Sequence, residues 1–267
     1  MHAPRGTSAA ITTVLIALMT TGSVSTARGD ANEGNVRLLA VQPDARCGGL
    51  AATLIGTEGP DRLRGTPEKD VIVGLGGRDQ ISGDGGNDVI CGGGRSDVIN
   101  PGRGEDTVYG QGGPDGFYPS PGADRIYGGG GDDFLTFGLG RDRLSGGPGN
   151  DAFFAPGGCL DLVSSCKIKG TATQVLRGGR GTDSVDYITF HGPINVDLRT
   201  GSVEGAGDDR LRGIENVRGT MRDDVLIGDA GPNELDGWAG NDLVRGLGGS
   251  DLLHLASLQV GERDRLS

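Results

Sequence analysis

An Asp recurs at every ninth position through one long stretch of the chain, residues 56–154. Two positions after each Asp there is an apolar side chain, and Gly is frequent in the residues just before it. The series is Asp61, Asp70, Asp79, Asp88, Asp97, Asp106, Asp115, Asp124, Asp133, Asp142 and Asp151. A short period repeated without a break predicts a solenoid, in which each repeat packs only against its neighbours.

Each unit reads G-x-x-G-x-D-x-U-x, where U is apolar. The first six residues predict a turn, because Gly readily adopts the positive φ angles that such a turn needs. The last three predict a short strand whose central side chain points inward. One such strand cannot close a loop, so two units, or 18 residues, make one coil with a strand on each side. The pattern therefore predicts an all-β fold, a parallel β-roll (β-solenoid).

In such a roll the coils stack about 4.8 Å apart, and the Asp residues fall into two columns. One column is expected to hold Asp61, Asp79, Asp97, Asp115, Asp133 and Asp151, and the other Asp70, Asp88, Asp106, Asp124 and Asp142. Because stacked carboxylates repel one another, a cation between successive turns would stabilise the fold. Six Asp in one column and five in the other leave room for at most nine ions.

The residue types in the repeats favour Ca²⁺ as that cation. Ca²⁺ accepts about six to eight oxygen ligands from carboxylates and backbone carbonyls, and Gly-rich turns expose their carbonyls. Mg²⁺ is less suitable because it demands octahedral geometry and keeps its waters. Transition metals prefer His and Cys, which do not recur in the repeats.

After an interruption the rhythm resumes near residue 178, less regularly. The acidic position of this second array is expected to be filled by Asp183, Asp209, Asp224, Asp242 and Asp251. Residues 187–201 form a longer unit in which Ile194, Val196 and Leu198 alternate as in a strand. The replacements in the two arrays are Asn233 for Asp, and Glu68, Arg95, Pro101, Pro119 and Phe137 for Gly. We expect the sites beside these replacements to be weak or empty.

The chain is expected to divide into six segments. They are a secretory signal peptide (1–27), a linker or N-terminal cap (28–46), the first array (47–154), a cysteine-containing insertion (155–177), the second array (178–254) and a C-terminal tail (255–267). The apolar run of the signal, residues 9–19, is shorter than the ~20 residues that a membrane-spanning helix needs. We therefore expect a secreted, extracellular protein with no membrane span.

The cysteines are even in number, which favours disulfides in a secreted chain. Cys159 and Cys166 are close enough in sequence to pair locally, which leaves Cys47 for Cys91. This second bridge requires the N-terminal cap to fold back along the solenoid, because bridged Cα atoms lie within about 7 Å. Free thiols are the alternative. A zinc site is not favoured, since there is no CxxC and no nearby pair of His.

Composition and charge exclude several classes of function. The net charge of −11 disfavours nucleic acid, whose phosphates require Lys and Arg, and disfavours anionic membranes. The motifs of metalloproteases, α/β-hydrolases and nucleotide-binding loops are absent, and His191 and His254 stand alone. We expect no catalytic activity, because the repeats fill nearly all of the chain.

The repeat resembles the glycine-rich nonapeptide G-G-x-G-x-D-x-U-x of RTX proteins, also called hemolysin-type calcium-binding repeats. The resemblance is closest at residues 128–133 and 146–151 and extends over most of residues 47–254. It implies a β-roll that folds when it binds several Ca²⁺ ions. Many RTX proteins carry an uncleaved C-terminal export signal, whereas this chain has an N-terminal one.

Alternative functions remain open at this stage. Tyr109, Tyr118 and Tyr127 occupy the last position of their repeats, and Tyr109 should stack on Tyr127. Such a stripe is compatible with an extracellular adhesive or carbohydrate-binding module, although stacking along a sheet is the simpler explanation and is favoured here. An extracellular hydrolase, or an accessory to one, is a further alternative, and so is a solenoid that uses Asp only as a turn residue.

Overall fold

The computed structural model describes residues 44–118, 120–155, 173–255 and 265–266. In this part of the chain it has β-strands and no helix. The strands are β1 (Arg46–Cys47), β2 (Leu50–Ala51), β3 (Leu54–Ile55), β4 (Arg62–Arg64), β5 (Val71–Val73), β6 (Gln80–Ser82), β7 (Val89–Gly94), β8 (Val98–Asn100), β9 (Thr107–Gly112), β10 (Gly116–Phe117), β11 (Arg125–Gly130), β12 (Phe134–Thr136), β13 (Arg143–Pro148), β14 (Ala152–Phe154), β15 (Val175–Arg180), β16 (Ser184–Asp186), β17 (Asn195–Asp197), β18 (Ser202–Glu204), β19 (Arg210–Arg212), β20 (Asn216–Arg218), β21 (Val225–Ile227), β22 (Glu234–Asp236), β23 (Leu243–Arg245), β24 (Leu252–His254) and β25 (Arg265–Leu266).

From β3 to β17 and again from β19 to β25, successive strands alternate between two sheets, which confirms the predicted parallel β-roll. Sheet 1 has the order β25-β23-β21-β17-β18-β19-β15-β13-β11-β9-β7-β5-β3. Sheet 2 has the order β24-β22-β20-β16-β14-β12-β10-β8-β6-β4. The register is that of an 18-residue coil: Leu63 lies beside Ile81, and Ile72 beside Ile90. Each coil therefore adds one strand to each sheet.

The core lies between the sheets and is one side chain deep from each strand. The middle residue of nearly every three-residue strand is buried and its two neighbours are more exposed, as at Arg62–Arg64 and Phe134–Thr136. Leu135 and Phe153 are fully buried neighbours in sheet 2, and Val108 and Leu144 belong to the same core cluster. A single apolar position per repeat suffices because each inward side chain packs on those of the adjacent coils.

The N-terminal cap is a small hairpin bonded to the roll by a disulfide. Strands β1 and β2 pair antiparallel, and β3 then joins sheet 1 with Leu54 beside Ile72. The disulfide joins Cys47 to Cys91, whose Cα atoms are 5.7 Å apart. This confirms the predicted second bridge and the folding back of the cap. Cys159 and Cys166 lie outside the described residues, so their pairing stays a prediction.

Two segments interrupt the 18-residue rhythm without breaking the sheets. Asp151 and Asp183 occupy adjacent coils although they are 32 residues apart, and so do Asp183 and Glu215. The first extra length contains the expected insertion, but β15 begins at Val175 and pairs in register with β13, before the expected restart at residue 178. The second contains β17 and β18, an antiparallel hairpin set into sheet 1. The predicted alternation of Ile194 and Val196 holds, whereas the return strand β18 was not predicted.

The other expected segments fall largely outside the described residues. These are the signal peptide (1–27), residues 28–43 of the linker, and residues 256–264 of the tail. Where the chain is described, no helix is long and apolar enough to cross a membrane.

Candidate metal centres

The Asp of each repeat ends a six-residue turn and immediately precedes a strand. Column 1 runs along the edge where the strands of sheet 2 begin, and column 2 along the corresponding edge of sheet 1. Column 1 contains Asp61, Asp79, Asp97, Asp115, Asp133, Asp151, Asp183, Glu215, Asn233 and Asp251. Column 2 contains Asp70, Asp88, Asp106, Asp124, Asp142, Gln174 and Asp209, followed beyond the β17–β18 hairpin by Asp224 and Asp242.

From Asp79 in column 1 and Asp88 in column 2 onward, one oxygen of each column carboxylate is held by the backbone of the preceding coil. The backbone N–H of Asp97 donates to Oδ1 of Asp115 at 2.8 Å, and that of Asp106 donates to Oδ1 of Asp124 at 2.9 Å. The same bond recurs along both columns. Because a charged acceptor strengthens a hydrogen bond, this ladder fixes the position of each carboxylate without any ligand. The other oxygen, Oδ2, points elsewhere and divides the turns into two kinds.

In the capped turns, Oδ2 accepts hydrogen bonds from within its own turn. The second residue of the turn supplies the donor, four positions before the Asp. Thr66 donates its N–H and its hydroxyl to Asp70, at 2.7 and 2.9 Å. The other capped turns end at Asp61 (donor Thr57), Asp124 (Ser120), Asp142 (Gly138) and Asp224 (Thr220). In these turns Oδ2 therefore has a protein partner already.

In the open turns, Oδ2 is buried and has no hydrogen-bond partner among the described residues. They end at Asp79, Asp88, Asp97, Asp106, Asp115, Asp133, Asp151 and Asp183. In each, the second residue has a positive φ angle: these residues are Leu75, Asp84, Gly93, Gly102, Gln111, Gly129, Gly147 and Gly179. Buried polar atoms rarely lack a partner, so each such oxygen calls for an explanation.

The unpaired oxygen and a backbone carbonyl of the next coil line the same small space. A Cβ atom added to Gly74 would lie 2.7 Å from Oδ2 of Asp79 and 2.0 Å from the carbonyl oxygen of Gly92. At Gly110 the corresponding distances, to Asp115 and Gly128, are 2.4 and 2.2 Å. A side chain would fill this space, which explains Gly at the first position of most of these turns; the turn of Asp106 begins with Pro101 instead. An oxygen-lined space next to a buried carboxylate fits Ca²⁺.

The electrostatics of the columns also favour a cation. Burial raises the pKa of Asp115 and of Asp133 to about 7 from an ordinary value of 3.8, and repulsion between neighbouring carboxylates adds to the increase. Burial likewise raises the pKa of Asp88 and of Asp106 to about 6. The hydrogen bond from the preceding backbone N–H opposes these shifts. A bound cation would favour the ionised form that burial disfavours.

Side chains alone do not form a metal cluster. In residues 44–118, 120–155 and 173–255 there is no group of three or more His, Cys, Asp or Glu able to hold an ion. The buried carboxylates are all those of column Asp residues, one to a turn, so any cation held at them draws most of its oxygen ligands from the backbone. His191 and His254 are exposed, and His254 lies 3.3 Å from Glu234.

The replacements do not all weaken the turns in the expected way. Asp97 keeps an open turn although Arg95 replaces Gly, because Arg95 itself adopts a positive φ angle of 79°. Asp70 is capped by Thr66, which is unrelated to Glu68. Asn233 accepts the backbone N–H of Asp229 and donates to the carbonyl of Glu215, so its amide is used within the protein.

Gln174 and Glu215 belong to the columns and were missed in the sequence. Gln174 accepts the N–H of Asp142 at 2.7 Å, and Glu215 accepts that of Asp183 at 2.8 Å. Both precede a buried apolar residue, Leu176 and Val217, by two positions. That spacing was the available signal. Asp209 differs again, because its Oδ2 accepts the hydroxyl of the buried Tyr187 at 3.4 Å.

Comparison with known families agrees with this geometry. The family described as RTX calcium-binding nonapeptide repeat (4 copies) matches residues 55–90, 92–117, 120–144, 138–155 and 218–253. These ranges cover about half of the chain and contain the open turns from Asp79 to Asp151. A search of curated proteins found no match. The nonapeptide register, the parallel β-roll and the family match together show that this chain belongs to the RTX calcium-binding nonapeptide repeat family.

Proposed function

We propose that this protein is an extracellular calcium-binding β-roll whose folding is driven by Ca²⁺ held in the open turns. The unpaired, buried Oδ2 atoms of these turns carry the proposal. Without a cation, each leaves a carboxylate that is both desolvated and close to like charges. With Ca²⁺ the same oxygens become ligands, so the free energy of binding becomes free energy of folding.

The turns are not equivalent in this proposal. The open turns hold Ca²⁺ between Oδ2 of their own Asp and the carbonyls of the next coil. Capped turns are complete without metal, because hydroxyl and N–H donors already occupy Oδ2. The second array contributes through Asp242 and Asp251, whose turns share the positive φ angle at the second residue, at Trp238 and Leu247. Asp209 and Asp224 have protein partners instead.

Location and covalent structure complete the proposal. Residues 1–27 direct secretion. The cap, the first array, the insertion, the second array and the tail follow with the boundaries given in the sequence analysis. An oxidising compartment accounts for the Cys47–Cys91 disulfide and favours a second one between Cys159 and Cys166. The protein acts through its folded surface rather than by catalysis.

Circular dichroism and calorimetry test calcium-driven folding directly. The purified protein should show little β-structure in EDTA and gain it cooperatively as Ca²⁺ is added, with heat released at several ions per chain. Mg²⁺ at the same concentration should be much less effective. Identical spectra with and without Ca²⁺ would refute calcium-driven folding.

A matched pair of variants tests the assignment of the sites. Asp115→Asn removes a charged ligand from an open turn, and Asp124→Asn makes the same change in a capped turn. Both keep an Oδ1 atom for the N–H of the preceding coil. We expect Asp115→Asn to raise the Ca²⁺ midpoint by about tenfold, or about 1.4 kcal/mol, and Asp124→Asn to leave it nearly unchanged. Equal effects would show that the turn type does not decide binding.

A further inference from the structure

The outward face of sheet 1 carries a cluster of arginines. Strands β11, β13, β15 and β19 are consecutive in the sheet, and we call their exposed arginines the arginine face. It consists of Arg125, Arg143, Arg177, Arg210 and Arg212. Arg125 is paired in register with Arg143, and Arg177 with Arg212. Neighbouring strands are about 4.8 Å apart, so the face extends over roughly 14 Å.

Among the residues that the structure describes, no carboxylate forms an ion pair with these arginines. Strands β9, β11, β13, β15 and β19 contain no Asp or Glu. Glu204, on the neighbouring strand β18, forms no ion pair with the face, and neither does any other carboxylate in the described part of the chain. Like charges on adjacent strands destabilise a sheet, so the fold alone does not account for the cluster.

Two exposed arginines of sheet 2 do have carboxylate partners. Arg218 lies between Asp186 and Asp236 of the adjacent strands, at 3.1 and 3.2 Å. Arg64 forms an ion pair with Asp84 at 3.0 Å. The chain has 36 acidic residues and a net charge of −11, so it does not lack carboxylates. Because none of the described carboxylates pairs with the arginine face, its guanidinium groups are available for an external anion.

An aromatic surface adjoins the arginine face. Tyr109 and Tyr127 stack with ring centroids 5.1 Å apart and planes 7° from parallel, which confirms the predicted stacking. Tyr127 is 42% exposed and lies in the same outward row as Ser145, Arg177 and Arg212. Guanidinium groups donate pairs of hydrogen bonds to planar carboxylates and to sulfates, and an aromatic ring offers a flat apolar surface.

We propose that the arginine face, together with Tyr127, binds an extended anionic polysaccharide that carries carboxylate or sulfate groups. A ladder of cations ending in an aromatic ring matches a polymer with regularly spaced acid groups and apolar ring faces. Nucleic acid fits less well, because duplex DNA carries one charge per roughly 1.7 Å, much closer than the about 4.8 Å between the strands that carry the arginines. This proposal rests on the proposed function in one respect: sheet 1 must be folded before its arginine face exists.

Binding assays with defined polymers in saturating Ca²⁺ test this proposal. The probes are dextran sulfate, polygalacturonate, neutral dextran and a single-stranded oligonucleotide. We expect binding to dextran sulfate or polygalacturonate, weakening steeply with salt, and none to neutral dextran. The preferred probe distinguishes sulfate from carboxylate recognition. Failure to bind either anionic polysaccharide, or tighter binding of the oligonucleotide, would overturn the proposal.

Matched double variants separate a specific face from general charge. Arg125→Ser/Arg143→Ser should weaken polysaccharide binding at least about tenfold and flatten its salt dependence. Arg62→Ser/Arg141→Ser makes the same change in net charge at exposed arginines outside the face and should have less than about a twofold effect. Equal losses of polysaccharide affinity in both double variants would refute specific binding at the arginine face. The Ca²⁺ titration of each variant should match that of the parent. A failure of calcium-driven folding would appear in this titration, whereas a failure of the arginine face would appear only in the polysaccharide binding.

Discussion

The two carboxylate columns are built from the same nine-residue unit, yet they differ in how many of their turns are open. Column 1 has six open turns in succession, from Asp79 to Asp183. In column 2, the open turns of Asp88 and Asp106 lie between the capped turns of Asp70 and Asp124. Acidic residues alone therefore do not make the columns equivalent.

The second residue of the turn accounts for this difference. Thr66 has its N–H and hydroxyl aimed at the carboxylate of its own turn. A positive φ angle at Gln111 or Gly129 places the backbone differently and leaves Oδ2 without a donor. Thr at this position closes the turn by hydrogen bonding, whereas Gly favours the open form because it adopts positive φ without strain. We therefore expect calcium binding to be concentrated in column 1.

Disrupting one carboxylate column at a time should have the largest effect on calcium-induced folding. The variant Asp97→Asn/Asp115→Asn/Asp133→Asn alters three adjacent open turns of column 1. It should lose most of the calcium-induced folding seen by circular dichroism, because three successive sites lose a charged ligand.

The control for that variant is Asp70→Asn/Asp124→Asn/Asp142→Asn, which makes the same change in three capped turns. It should keep its Ca²⁺ midpoint within about twofold of the parent, which is a difference of about 0.4 kcal/mol. If both triple variants lose calcium-induced folding to the same extent, the two columns are equivalent and the proposed difference between them is wrong.

Lowering the pH should stabilise the folded roll in the absence of Ca²⁺ and weaken the binding of Ca²⁺ when it is present. Burial raises the pKa of Asp115 and Asp133 in the folded state to about 7, above the ordinary 3.8. For a carboxylate with a raised folded pKa, the stability gained by protonation is full below about 4 and is lost as the pH rises through about 7. In EDTA, the β-signal should therefore increase as the pH is lowered from about 8 to about 5.5.

With Ca²⁺ present, protons compete for the same carboxylates, so the Ca²⁺ midpoint should rise over that pH range. The pKa of Asp88 and Asp106 in column 2, and of Asp79 and Asp183 in column 1, is raised only to about 6, so the open turns of Asp115 and Asp133 should lose their ions first. Calorimetric titrations at several pH values measure both effects. A β-signal in EDTA that falls on acidification would contradict the sign of this argument.

The disulfide should stabilise the end of the roll that needs the least calcium. Cys47 and Cys91 join the cap to strand β7 across a sequence separation of 44 residues, near the capped turns of Asp61 and Asp70. A loop of this length corresponds to about 4 kcal/mol in the chain-entropy model. Cys47→Ser/Cys91→Ser should lower the free energy of unfolding by up to that amount in Ca²⁺, measured by chemical denaturation. A loss below about 1 kcal/mol would show that the cap adds little.

The sequence predicted the fold almost completely because one period determined strand, turn and register together. Ile90 and Val108 are neighbours simply because 18 residues separate them. The period did not predict the structure where extra residues separate two adjacent coils. The β18 strand and the column residues Gln174 and Glu215 follow gaps of irregular size, and only the apolar residues two positions later marked their place. The capped and open turns were not distinguished, because their difference depends on a backbone conformation at a position the repeat leaves variable.

The smallest predicted effect tests that backbone conformation directly. Gln111 is exposed, lies in the open turn of Asp115 and has a φ angle of 78°. A positive φ angle costs a non-glycine residue roughly 1–2 kcal/mol, so Gln111→Gly should stabilise the calcium-bound protein by up to about 1 kcal/mol after the added chain entropy of Gly. The matched control is Gln80→Gly, at an exposed strand residue outside the positive-φ region, which should destabilise it by about 0.5–1 kcal/mol. Thermal unfolding in Ca²⁺ measures both, and a shift of the same sign in the two variants would show that the open turn is not maintained by its second residue.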